Sequence, residues 1–292
     1  MFTRIASLVL LTLTLSCQKK PAKSPDQIEP KIKAKAELYK SLHKGWAHQA
    51  GCDSLGFTAL CKLSNDGCQE ADILQAEGEP GRWYRNLGKR CYDDGQSKSD
   101  ISKDMLMMLF PYLYATGDKQ NLREIYDYGK ANGNVMGRGP ISRTFMTPPM
   151  VLLLQRLIGI NVSEFPNSSK EVAKAGYEKH LDAIDLLTKG MLGGGLDQLQ
   201  YEEIRKYADA NPKNALFVAL YRKYRDGNQQ QTIDILLDES LFPSDRLPTS
   251  ADRCEEYLWQ RDNTASDWGP CDRNQTHDGV DFLIAAWVAG QL

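Results

Sequence analysis

Several polar side chains stand at or near the starts of apolar runs, and their types suit acid–base chemistry. Asp53 precedes the run LGFTAL, and Asp104 borders MLMMLF at 105–110. Arg143 precedes the segment 147–159, and His277 and Asp281 bracket the entry to FLIAAWVA at 282–289. Two carboxyl groups facing each other can protonate a leaving group and activate water, and their separation decides between inverting and retaining glycoside chemistry. His277 could serve as a general acid or base. Asp281, between Val280 and Phe282, must be paired or line a polar cavity, because an unpaired buried charge is expensive. Arg143 and His277 are its candidate partners. Asp53, Asp104, His277 and Asp281 are therefore the candidate catalytic set.

Ser99, Arg143, Trp83 and Trp268 are the candidate substrate-binding set. Trp83 follows Glu79-Pro80-Gly81-Arg82, and Trp268 lies in Asp267-Trp268-Gly269-Pro270-Cys271. Loop tryptophans beside carboxylates and arginines can carry a sugar ring, or can pin a loop to the core. A plainer reading competes for the rest. Ser, Thr, Asp and Asn at helix starts are caps, each contributing about 1 kcal/mol, and acidic residues in a first turn suit the helix dipole. Ser99, Asp100, Ser102 and Asp278 all fit that reading. His43, His48 and His180 sit in charged surroundings and read as solvated. No metal and no cofactor are expected. The first four cysteines after residue 17 are spaced nine, seven and twenty-three residues apart with no CxxC, which is a poor zinc pattern. Gly193-Gly194-Gly195 reads as a joint between helices, since no strand precedes it and no Lys-Ser/Thr follows.

The elements that must position these residues read as helices. Helical patterns lie near 32–48, 53–63, 101–116, 119–131, 147–159, 169–189, 197–209, 212–226, 229–239 and 278–289, and no period-two strand pattern is evident. Asn211-Pro212 reads as a helix start. Thr116-Gly117-Asp118, Lys189-Gly190 and Asp226-Gly227 read as stops. Pro111 falls inside a helical pattern, where it should kink the segment. Two kinds of helix alternate. The segment 171–187 is amphipathic, with Val172, Ala175, Leu181, Ile184 and Leu187 mostly on one face. The runs at 105–110, 150–154, 215–220 and 282–289 are apolar nearly all round, so they should be interior. Inner helices packed inside amphipathic ones predict an all-α, (α/α) toroid-like domain, with an irregular α-helical bundle as the alternative. Parallel inner helices would gather their polar starts at one end.

Composition agrees with a globular domain. Of 292 residues, 41% are hydrophobic and 25% charged, enough to bury a core without metals or crosslinks. With 36 basic and 38 acidic residues the net charge is -2, which argues against a nucleic-acid partner.

The N-terminus carries an address. Arg4 precedes an apolar run, Ile5 to Leu15, too short to span a bilayer but suited to a signal peptide. The sequence Leu13-Thr14-Leu15-Ser16-Cys17 resembles a bacterial lipobox, with Thr14 where Leu is more usual. That resemblance implies cleavage before Cys17, lipidation of Cys17 and membrane anchoring through the acyl chains. Gln18 after the lipidated Cys implies the outer membrane. The expected organisation is a signal peptide at 1–16, lipidated Cys and flexible tether at 17–31, and one helical domain at 32–292. Six further cysteines, Cys52, Cys61, Cys68, Cys91, Cys254 and Cys271, form an even set that suits three disulfides in an exported chain. Cys254–Cys271 is the natural pair. Among the other four, Cys61–Cys68 with Cys52–Cys91 is favoured.

The stretch Ser99 to Asp118, SDISKDMLMMLFPYLYATGD, resembles the helix opening of six-hairpin (α/α) toroid glycosidases and related bacterial proteins, with Lys103 where the family carries Arg. His277-Asp278-Gly279-Val280-Asp281-Phe282 also resembles a feature of that group. The resemblance implies a toroid and a glycan-active hydrolase or lyase. A noncatalytic lipoprotein that binds a glycan, an envelope component or a protein partner is the alternative.

Overall fold

The computed structural model describes residues 29–42, 54–64, 73–85, 99–139, 142–162, 177–193, 195–247 and 279–292. Among these the chain is all-α apart from one short hairpin. The helices are α1 (Pro30–Leu42), α2 (Ser54–Ser64), α3 (Lys103–Ala115), α4 (Lys119–Ala131), α5 (Pro148–Leu157), α6 (Tyr177–Met191), α7 (Gln198–Ala210), α8 (Ala215–Arg225), α9 (Gln230–Leu237) and α10 (Val280–Val288). Each falls within one of the ten helical patterns of the sequence to a few residues, except that no described structure covers 43–48 or 169–176. No helix among the described residues is long and apolar enough to cross a membrane.

Local chemistry sets the ends. Gly117, at φ +74°, turns the chain after the C-cap Thr116 of α3. Asp118 then caps α4 by accepting from Asn121 N at 3.0 Å. Asp197 and Gln200 close a reciprocal capping box on α7. Two expected boundaries move. Asn211 closes α7 instead of opening the next helix, because its side-chain amide donates to Tyr207 O at 2.9 Å. The start of α8 falls to Asn214, whose Oδ1 accepts from Phe217 N at 3.2 Å. Gly190 does not stop α6, which runs on to Met191. A Cβ at Gly190 would lie 1.6 Å from the Tyr224 hydroxyl, so glycine there lets α8 approach α6.

The packing forms a closed circuit of neighbours: α2 against α3, α3 against α6, α6 against α8, α8 against α10, and α10 back against α2. The others pack against this circuit, with α4 on α3, α7 on α8, and α1 and α9 on α10. Residues 105–111 of α3, 215–220 of α8 and 280–286 of α10 are all buried, as expected for runs that are apolar all round. The run 150–154 differs. In α5, Met150, Leu153, Leu154 and Leu157 are buried while Val151 and Leu152 are half-buried, so this helix is one-sided. The amphipathic α6 takes the interior place instead. Its polar residues can be covered because they are paired: Asp182 Oδ2 accepts from the Tyr207 hydroxyl at 2.7 Å, and Lys189 meets Asp185 at 2.5 Å. His180 is buried as well, which corrects the solvated reading; burial drives its imidazole down to about 3. Covering these groups costs less than leaving unpaired charge in the core.

The hairpin is the element the pattern missed. Strands β1 (Val135–Arg138) and β2 (Arg143–Phe145) pair antiparallel, with an irregularity between Val135 and Gly137. A Cβ at Gly137 would lie 2.4 Å from Ile101 Cγ2 and 2.8 Å from Asp100 Oδ1, so glycine lets the strand lie against the entry to α3.

Candidate functional site

The residues ahead of α3 form a dense polar frame. Asp100 is buried; its Oδ1 accepts from Arg138 N at 2.7 Å and its Oδ2 from Arg82 Nη2 at 3.1 Å. The backbone closes the same joint: Asp100 N donates to Arg138 O, and Arg85 N to Asp100 O. Arg85 Nε donates to Ser99 O at 2.7 Å, and Leu55 N to Arg85 O at 2.8 Å. One network therefore joins the start of α2, the segment 82–85, the entry to α3 and the hairpin. Ser99 is buried in it and shares short hydrogen bonds with Thr144 Oγ1 and Ile101 O. Thr144 Oγ1 donates to Ile101 O at 2.6 Å. Ser102 holds the N-cap position of α3 without a side-chain cap bond.

The candidate residues distribute around this frame as follows. Ser99 is inside it. Arg143 is exposed on β2, brought next to Ser99 by its neighbour Thr144. Asp104 is half-buried in the first turn of α3. Asp281 is buried in the first turn of α10, with an interaction partner, on a helix whose neighbours are α1, α2, α8 and α9. Trp83 is a core residue, 1% exposed, with Glu77 as its bridge partner. The loop-pinning role describes it, because a ring without exposed surface cannot serve as a platform. Asp53, His277, Trp268, Cys17, Cys52, Cys68, Cys91, Cys254 and Cys271 lie outside the described residues. Cys61 is buried in α2 and is not a free thiol.

Open volume lies at the other end of α3. Asp104 and Tyr114 are ten residues apart, about 15 Å along the axis. A cavity of about 530 Å³ is walled by Tyr114 of α3, Lys119 of α4, Arg156 and Leu157 of α5, Lys189 of α6, and Asp197 and Gln200 at the start of α7. A second, of about 370 Å³, adjoins it through the shared residues Gly195, Leu196 and Asp197, and is lined further by Gln198, Tyr201, Tyr224 and Arg225. Burial raises the Asp185 carboxyl, and the neighbouring Lys189 pulls it back down. Burial pushes the Tyr224 phenol up to about 12, so it stays an uncharged hydroxyl at neutral pH.

Sequence reasoning missed this end. Arg156 and Lys189 sit in last helical turns, where cations suit the dipole anyway, and Lys119 opens α4 beside its cap. No spacing along the chain marks the three as neighbours. Comparison with protein-family models, curated proteins and solved structures finds no match to this chain.

Proposed function

We propose that the protein is an envelope lipoprotein whose helical domain binds a glycan or another envelope component without cleaving it. The observation that carries this reading is the frame at the start of α3. Asp100 is held by Arg82 and by a backbone amide, and Ser99 is spent on Thr144 and Ile101. Carboxylates tied to their own arginine and amides make a scaffold; a hydrolase needs two carboxyl groups facing across open space. Anchoring through a lipidated Cys17 in the outer membrane, a tether at 17–31 and the three disulfides Cys52–Cys91, Cys61–Cys68 and Cys254–Cys271 complete the proposal. The circuit of helices supports a toroid-like closure of the domain.

The test is a panel of peptidoglycan and polysaccharides presented to the full-length protein, with retention and reducing-end release both measured. The expected result is retention without release. Release that Asp104→Asn or Asp281→Asn abolishes, with helix content unchanged, would establish the glycosidase reading instead. Cys17→Ser should leave the protein without acyl chains; if it still partitions wholly into detergent, the anchor is wrong.

A further inference from the structure

We propose that the β1–β2 hairpin docks on the anionic lipid surface of the bilayer that anchors the chain, with Arg138 and Arg143 on headgroup phosphates and Phe145 in the boundary layer beneath them. This rests on the lipid-anchored reading above and gives the domain a membrane-facing side.

The hairpin carries an unfavourable pair. Arg138 and Arg143 stand directly opposite each other in the antiparallel register, and both are exposed. Opposite residues hold their Cβ atoms about 5 Å apart, and like charges there destabilise the pairing. Among the described residues no carboxylate meets either guanidinium. Asp100, bonded to the Arg138 backbone amide, gives its other oxygen to Arg82. An anion shared by the two guanidinium groups turns the repulsion into attraction, since each presents a planar fork to phosphate.

Strand alternation puts Phe145 on the same face as Arg143, while Thr144 between them turns inward and donates to Ile101 O at 2.6 Å. Phe145 is 45% exposed, the aromatic one of three large hydrophobic side chains exposed among the described residues. Pro148 and Pro149 follow it in the chain and are exposed too. Basic groups beside a phenyl ring are the composition of interfacial membrane binding. The hairpin is also held in place: Arg138 N donates to Asp100 Oδ1 at 2.7 Å, and Asp100 N donates to Arg138 O at 3.2 Å.

Magnitude selects the partner. Each arginine at an anionic surface raises partition about fivefold, too little to hold a freely diffusing partner. A tethered domain needs no more. Glu29 stands twelve residues after Cys17. Even a fully extended chain keeps it within about 43 Å of the lipidated residue, and a short tether supplies an effective concentration in the millimolar range.

Footprinting of arginines with phenylglyoxal, read by mass spectrometry on the full-length protein in vesicles, tests this. One vesicle set is phosphatidylcholine and the other carries about 30% phosphatidylglycerol. Arg138 and Arg143 should react about tenfold more slowly on the anionic set, with the protection fading in high salt. Arg123, exposed on α4, should react equally on both. Phe145→Ser should weaken the protection of Arg138 several-fold. Arg143→Gln should weaken it as well and leave the thermal midpoint no lower; a lowered midpoint would make Arg143 a support of the fold and count against the proposal. Equal reactivity of Arg138 and Arg143 on the two sets overturns it. So does equal protection of Arg123, or protection by inorganic phosphate on neutral vesicles. A protein that floats with neither set overturns the anchor and the docking together. One that floats with both and shows no protection leaves the anchor standing and sinks the hairpin contact alone.

Discussion

At its start, α3 is approached by Asp100, Arg82, Arg85, Ser99 and Thr144, whose polar atoms bond to one another and to backbone amides and carbonyls. At its end, Tyr114 looks onto cations from three other helices around about 530 Å³ of open space. Both ends are rich in polar residues, and open volume lies beside the second. Polar density by itself therefore marks a scaffold as readily as a site; unfilled volume beside charge separates the two. The same contrast runs along α6, with neutral His180 buried near one end and Lys189 on the cavity at the other.

The strongest way to break that contrast is to remove a frame carboxylate. Asp100→Ala leaves the Arg138 amide without its acceptor and removes one of the two carboxylate partners of Arg82, the other being Glu79, and should cost about 2–3 kcal/mol, since Arg82 is partly solvated. Urea denaturation followed by circular dichroism would measure it, and a loss within error of zero would mean that the frame is ornamental. The buried His180 gives a similar effect through pH. Its folded value of about 3 lies below the usual 6.5 of a solvated imidazole, so the unfolded chain takes up the proton first. Its contribution is complete above pH 6.5 and is lost as pH falls toward 3, by about 2 kcal/mol at pH 5. Comparing wild type with His180→Leu between pH 7 and 5 isolates that slope, and parallel curves for the two proteins would refute it.

Smaller effects sharpen the other side. Gly190→Ala puts a methyl where the Tyr224 hydroxyl stands. It should cost about 1–2 kcal/mol, less than a backbone clash would, because the tyrosine ring can swing. Thermal melts would show it, and an unchanged midpoint would mean that α6 and α8 are looser than described. Lys119→Gln, on an exposed side chain, should change stability by less than about 0.5 kcal/mol. A large destabilisation there would make the cavity rim a part of the scaffold after all.

The helices were legible because burial is written in composition. Met105 to Phe110, Ala215 to Leu220 and Phe282 to Ala286 could only be interior. The hairpin was not, since strands of four and three residues are too short to show alternation. The inner place of α6 was hidden by the polar Asp182, Asp185 and His180; Asp182 is satisfied by Tyr207 of α7, which no local pattern marks. Ser99 and Asp104 lie at the entry to α3, as their place in the sequence implies, whereas Arg143, read as preceding the 147–159 helix, comes near Ser99 only through the hairpin and Thr144. Lys119, Arg156 and Lys189 come together only through the packing of α4, α5 and α6, which no local pattern encodes.

Helix α1 has a mechanical consequence. It runs antiparallel to α10, with Glu29 N, just ahead of its first residue, bonded to the Gln291 side chain and Gly279 packed on Tyr39 near its last. Midway, Lys35 reaches Leu236 O, Phe242 O and Glu239 across the end of α9. A pull on the chain ahead of Glu29, directed along the α1 axis, loads these attachments together, as a lap joint does, instead of unzipping them one by one. Tension from that side is shared with α10 and with the turn after α9 before it can distort the walls around Tyr201 and Arg156.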